Sequence, residues 1–144
     1  MVEIIRLKEA NEQAVADIGI LLRQLRENPE EHKTSVEELR QIVEDKNVAL
    51  LVAKDGERII GMASLYIMTK LSKRTGGVED VVVDSTYRGQ GLGEKLMQAI
   101  IDTARAEHLK TLYLTSRPER TAANKLYQKL GFELKQTNPY RLKL

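Results

Sequence analysis

The chain has 144 residues, 42% hydrophobic and 31% charged, enough for one domain with a real core and too balanced for a disordered or fibrous chain. Its 23 Lys and Arg against 21 Asp and Glu leave a formal charge of +2, too even for a dedicated nucleic-acid or polybasic membrane protein. Cysteine is absent and His32 and His108 lie far apart, which excludes a disulfide, a thiol nucleophile and Cys-ligated zinc, and no metal site is expected.

The first residues lack the basic and then apolar pattern of a signal peptide. No run approaches the roughly 20 apolar residues of a membrane span, so a cytoplasmic protein without membrane contact is expected. Residues 2–8 alternate well enough for a first strand. From Asn11 the period turns helical, with Val15, Ile18, Leu22 and Leu25 on one stripe, and Asn28-Pro29 stops the helix. Ser35-Val36-Glu37-Glu38 reads as a capping box opening a second helix, whose inner face is Val36, Leu39, Ile42 and Val43.

The period then changes to that of strands. Residues 48–54 and 59–68 form a hairpin about Asp55-Gly56, with Gly61 as a candidate bulge. A polar loop over residues 69–77 follows, and residues 78–83 form another strand. A helix from the glycines at 89–93 to about Glu107 repeats Leu92, Leu96, Ile100 and Ala104 on one face, flanked by Met97 and Ile101. Residues 111–115 read as a strand, residues 121–130 as a helix capped by Gly131, and residues 132–135 and 140–144 as two short final strands. The order, antiparallel hairpins first and βαβ units later, is that of a single α/β domain over residues 1–144.

The most informative segment is Val81-Val82-Val83-Asp84-Ser85-Thr86-Tyr87-Arg88-Gly89-Gln90-Gly91-Leu92-Gly93: a strand, a turn, a glycine-rich loop and a helix start. Free N–H groups at such a helix start form an anion cradle, assisted by the positive end of the helix dipole. A phosphate or pyrophosphate is its natural guest, and a tight strand-to-helix turn packed on its glycines is equally consistent with the composition. The spacing G-x-G-x-G is not that of a dinucleotide fingerprint, and Gly93-Glu94-Lys95 is not a Walker A ending, so neither NAD binding nor ATP hydrolysis is supported.

Arg88-Gly89-Gln90-Gly91-Leu92-Gly93 matches the R/Q-x-x-G-x-G/A signature of the GNAT superfamily of acetyl-CoA-dependent N-acetyltransferases. The chain resembles that family from Glu79-Asp80 through Tyr127-Gln128-Lys129-Leu130-Gly131-Phe132. The resemblance implies an α/β (α+β) fold: a central mixed, mostly antiparallel twisted sheet, flanked by about four helices. That sheet is splayed between residues 81–83 and 111–115 to admit acetyl-CoA, the co-substrate. It further implies that the backbone of Arg88, Gly89, Gln90, Gly91, Leu92 and Gly93 holds the CoA pyrophosphate. The edge of Val81, Val82 and Val83 would pair with the pantetheine arm, and an N–H near Val82 would polarise the acetyl carbonyl. Without the resemblance the three valines read as core.

Tyr127, by itself a half-buried aromatic on a helix face, becomes by the same resemblance the donor to the departing CoA sulfur. Many members carry Asn where this chain has Arg120, and Asn124 is the neighbouring candidate for a CoA contact. Glu79 and Asp80 precede the valine strand, where alternation points them to opposite faces. Glu79 is preferred as base or amine anchor and Asp80 is the spare candidate.

The activity implied is transfer of the acetyl group to the primary amine of a small molecule, by direct attack in a ternary complex. Glu-Asp-Val-Val-Val at 79–83 is similar to the motif of glucosamine-6-phosphate N-acetyltransferases, which keeps amino-sugar phosphates beside polyamines, aminoglycosides and amino acids as acceptors. The rivals are a protein lysine or N-terminal acetyltransferase and a non-catalytic acyl-CoA-binding regulatory module. A homodimer is the assembly the family suggests.

Overall fold

The computed structural model describes residues 1–26 and 33–144; His32 and the helix stop expected at Asn28-Pro29 lie outside the described residues. Contacts divide the chain into two compact units, Met1–Leu114 and Thr115–Leu144. The first holds strands β1 (Val2–Arg6), β2 (Val48–Asp55), β3 (Arg58–Thr69), β4 (Arg74–Val83) and β5 (Leu112–Tyr113), with helices α1 (Glu12–Leu25), α2 (Val36–Glu44) and α3 (Leu92–Ala106). The second holds helix α4 (Thr121–Lys129). The strands form one sheet in chain order. The first four are antiparallel and β5 runs parallel to β4, which makes the sheet mixed and mostly antiparallel, as expected.

Local chemistry sets the helix starts. Asn11 Oδ1 accepts the Ala14 N–H at 2.8 Å. Ser35 Oγ accepts the Glu38 N–H and donates to Glu38 Oε1, both at 3.1 Å, which caps the helix where the capping-box sequence predicts its start. Between β2 and β3 the chain turns at Gly56, whose φ of +62° is open to glycine and costly to other residues.

The core has two layers. On one face of the sheet Ala14, Ile18 and Leu21 of α1 and Leu39 of α2 pack with Leu50, Val52, Met62 and Val82, while Val15, Leu22 and Leu25 close the margin partly buried. The buried stripe of α1 is therefore centred one residue earlier than its periodicity suggested. The other face carries α3, through the buried Leu92, Leu96, Met97, Ile100 and Ala104. Neighbouring residues of β3 show the division, since Met62 joins the α1 layer and a Cβ placed on Gly61 would stand 3.2 Å from Leu96 Cδ1. The bulge expected near Gly61 is present: Ala53 pairs with Gly61 and Lys54 with Ile59, leaving Ile60 as the extra residue.

Three boundaries differ from the sequence reading. Strand β4 begins at Arg74, inside the expected loop, because its antiparallel ladder with β3 continues to Thr69 and recruits Thr75, Gly76 and Gly77. Strand β5 shrinks to two residues, paired with Gly76 and Gly77. The two final strands do not form, and residues 132–144 have no sheet partner among the described residues. Leu134, Tyr140, Leu142 and Leu144 are 87%, 90%, 82% and 115% exposed. Alternation alone gives no strand where no edge satisfies its backbone groups.

Gly76 holds the β4–β5 junction by lacking a side chain. A Cβ there would meet Leu65 Cδ1 at 2.7 Å and Leu109 Cδ1 and Leu112 Cδ2 at 2.9 Å, whereas one on Gly77 would meet only Met68 Cε at 3.6 Å. Gly76→Ala is therefore expected to lower stability by about 1–3 kcal/mol through overpacking. Gly77→Ala should change it much less. Urea midpoints at constant m check the pair, and equal midpoints would refute the packing argument.

Candidate active site

Strand β4 carries a second bulge. Met62 pairs with Val82 and Ser64 with Glu79, so Asp80 and Val81 together stand opposite Ala63. Asp80 takes φ +54°, the left-handed region that Asp tolerates better than most side chains. A residue held there at a cost of about 1 kcal/mol marks a place where the strand is re-aimed rather than simply extended. On its far side β4 pairs with β5 only at Gly76 and Gly77. Among the described residues no strand of this unit pairs with residues 78–83 on that side, so the sheet is open where the valines lie.

Past Val83 a short 3-10 turn, Ser85–Tyr87, leads into the glycine loop. Arg88 donates from Nε to the Val83 carbonyl at 3.2 Å, folding its side chain back on the strand end. Gly89 and Gly91 have φ of +80° and +76°, and a Cβ on either would find nothing within 4 Å. Gly91 is the N-cap of α3 and brings no side chain to cap the helix. The loop thus offers left-handed backbone, open space and an uncapped helix start together, which fits a bound phosphate and leaves close packing as no reason for these two glycines. Gln90 is exposed, Gly93 half-buried and Leu92 buried in the α3 layer.

The turn is anchored by Asp84, which is 4% exposed. Its Oδ1 accepts the Thr86 N–H at 2.9 Å and the Thr86 hydroxyl at 2.7 Å. Those hydrogen bonds hold the carboxyl below its ordinary pKa, with Gln24 and Arg58 adding to the effect.

Near the bulge the structure assembles a group that strand alternation had hidden. Ser64 and Tyr66 of β3 share a face, and Ser64 lies opposite Glu79. Burial raises the pKa of Tyr66, and the charges of both Asp80 and Glu79 raise it further against a hydrogen bond from Ser64. Both carboxylates therefore act on one phenol. The left-handed Asp80 interrupts the plain alternation that the sequence suggests. Glu79 is itself raised by burial and by Asp80; Asp80 is raised by burial and held back by Arg26 at the end of α1. Tyr66 and Ser64 escaped notice in the sequence, where two polar positions two apart in an apolar strand were the available signal.

In the second unit the end of α4 holds Tyr127. Gly131, at φ +100°, donates to the Gln128 carbonyl at 3.1 Å, and Phe132 donates to the Tyr127 carbonyl at 2.9 Å, the paired bonds of a Schellman motif. The accompanying apolar contact is Phe132 against the Tyr127 ring, edge-on at 6.0 Å between centroids. Tyr127 is 6% exposed, and burial raises its pKa against the opposing charge of Arg120, so the phenol keeps its proton at neutral pH. Asn124 donates from Nδ2 to the Arg117 and Arg120 carbonyls at 2.9 and 2.8 Å, binding the loop before the helix. Among the described residues no group of His, Cys, Asp and Glu could hold a metal ion, and no helix is long and apolar enough to cross a membrane.

The sequence model of the Acetyltransferase (GNAT) family matches residues 17–132. The chain is 34% identical over 121 residues to glucosamine 6-phosphate N-acetyltransferase 1 of Oryza sativa subsp. japonica, a match covering 78% of this chain and 70% of that protein. To a glucosamine 6-phosphate N-acetyltransferase of Trypanosoma brucei brucei it is 38% identical over 78 residues, 52% of this chain and about half, 51%, of the length of that relative. The crystal structure of a Trypanosoma brucei acetyltransferase superposes with a TM-score of 0.82 at 28% identity, covering 100% of both chains.

Proposed function

The chain belongs to the GNAT family of acetyltransferases, and from that premise we propose that it transfers the acetyl group of acetyl-CoA to the primary amine of a small molecule by direct attack in a ternary complex. The observation that carries this reading is the continuous run from the unpaired stretch of β4 through the glycine loop to the uncapped start of α3. It offers backbone groups first for an extended arm and then for a pyrophosphate. The names of the rice and Trypanosoma relatives support a small amine, with amino-sugar phosphates first among acceptors to be tried.

In this reading residues 1–144 serve as one acetyltransferase domain. The backbone of residues 88–93 holds the pyrophosphate, Val81, Val82 and Val83 pair with the pantetheine, and Asn124 contributes a CoA contact through the loop it organises. Bound acetyl-CoA supplies the activated acetyl group. Backbone N–H groups at the bulge polarise its carbonyl, Glu79 takes the proton of the attacking amine, and Tyr127 gives a proton to the sulfur as the C–S bond breaks. Position and local electrostatics, rather than a covalent enzyme intermediate, lower the barrier.

Thermal unfolding with and without acetyl-CoA, followed by thiol release over a panel of amino-sugar phosphates, polyamines, aminoglycosides, amino acids and lysine peptides, tests the reading. A raised melting temperature with thiol release on a small amine supports it. Release on peptides alone would give the chain a protein acceptor, binding without turnover would make it an acyl-CoA sensor, and no shift would overturn the cradle.

Glu79 gives the reading a pH signature. Its raised pKa keeps the carboxyl protonated to higher pH, and a base must be ionised, so kcat/KM should rise with pH through a limb above the ordinary glutamate range. Asp80→Asn should move that limb down, since it removes the like charge. Glu79→Gln should abolish the limb and lower kcat/KM about 10²-fold. A limb unchanged in Glu79→Gln would assign the base elsewhere.

A further inference from the structure

We propose that Gln24, on the last turn of α1, is a positioning residue for the acetyl-CoA loop, gripping the two residues from which that loop starts. The inference rests on the acetyl-CoA reading of the loop. Gln24 is exposed, and both of its side-chain hydrogen bonds are long-range: Oε1 accepts the Ser85 N–H at 2.9 Å and Nε2 reaches Asp84 Oδ2 at 3.4 Å. An amide side chain suits this place because one partner is a donor and the other a carboxylate.

The grip continues on both sides. Asp84 Oδ2 also receives Arg58 Nη2 at 3.4 Å, and its own N–H donates to the Ile60 carbonyl at 2.8 Å, fixing the end of β4 to the start of β3. Its other oxygen holds Thr86 and so shapes the turn before Arg88. Gln24 therefore adds a helix to a strand-end knot whose output is the direction of the loop. Two residues on, Arg26 bears on Asp80 at the bulge. One helix end thus bears on both the start of the acetyl-CoA loop and Asp80 at the bulge.

Gln24→Met keeps the length of the side chain and removes both hydrogen bonds. It is expected to raise the Kd for acetyl-CoA about fivefold. With both substrates saturating, kcat and the acceptor KM should stay within roughly twofold, because the groups that act on the reacting atoms are untouched. In the ligand-free protein the Ser85 and Thr86 amides should exchange faster by NMR.

Gln24→Glu keeps an acceptor for Ser85 and sets a carboxylate against Asp84, with Arg58 partly offsetting the repulsion. Its binding defect, measured against wild type at each pH, should be larger at pH about 8 than at about 5.5, where one carboxyl of the pair can take a proton. Unchanged affinity in Gln24→Met, or equal losses in Kd, kcat and melting temperature, would overturn the inference. A wild-type protein that binds no acetyl-CoA in titration calorimetry would overturn the acetyltransferase reading and this inference with it, and the wild-type control alone identifies that case.

Discussion

Tyr127→Phe is expected to lower kcat about 10²-fold, the usual effect of removing a positioned proton or hydrogen-bond donor. The Kd for acetyl-CoA should stay within roughly a factor of two, because in the proposed mechanism the hydroxyl acts as charge develops on sulfur rather than in the ground state. The substitution keeps the ring, so the Phe132 contact and the Schellman ending that hold position 127 survive. The raised pKa keeps the phenol protonated at neutral pH, so Tyr127 is present as a hydrogen-bond and proton donor to the sulfur and not as a base. An acetyl thioester of a more acidic thiol should recover part of the lost rate, because it leaves with less help. Single-turnover rates read both effects. A kcat equal to that of the wild type would remove Tyr127 from the chemistry.

Gly91→Asp is the complementary change, directed at binding rather than rate. Aspartate tolerates the left-handed backbone at a strain of about 1 kcal/mol, so the fold should persist. Its carboxylate would enter the open space before the uncapped start of α3, where the helix dipole favours a negative charge and a pyrophosphate would need the same N–H groups. Hydrogen bonds to a charged group are worth about 1.5–3 kcal/mol each, and losing one or two raises KM for acetyl-CoA roughly a hundredfold. Gly91→Asn separates charge from bulk: it fills the same space without the repulsion and should cost about tenfold. Equal KM values in both variants and the wild type would show that the loop does not hold the phosphates.

The glycine loop and the helices were legible in the sequence because their causes are local. A capping serine, a fourfold repeat of Leu92, Leu96, Ile100 and Ala104, and three glycines in five residues act within a turn or two of chain. The bulge in β4 was not legible. Glu79-Asp80-Val81-Val82-Val83 reads as plain alternation, and the extra residue exists only because β3 offers one residue, Ala63, where β4 offers two. Gly76 looked like loop for the same reason: its requirement comes from Leu65, Leu109 and Leu112, distant in sequence. Gln24 and Asp84 lie 60 positions apart, so no window over the chain could join them. The final strands failed in the opposite direction, since Tyr140, Leu142 and Leu144 carry the pattern of a strand without a partner to complete it.

A strand edge proposed to receive a ligand is by the same chemistry a place where a neighbouring strand could add. Within the first unit, and among the described residues, no strand pairs with residues 78–83 on the side away from β3, and such an edge is a template for an added strand. Glu79 and Asp80 stand guard there, because like charges discourage the stacking of identical segments. That protection weakens as a solution is acidified, and with raised pKa values both carboxyls are neutralised earlier than ordinary carboxylates. Mildly acidic stocks without acetyl-CoA are therefore expected to be the ones prone to clumping, and in the proposed reading the bound thioester would protect them by covering the edge.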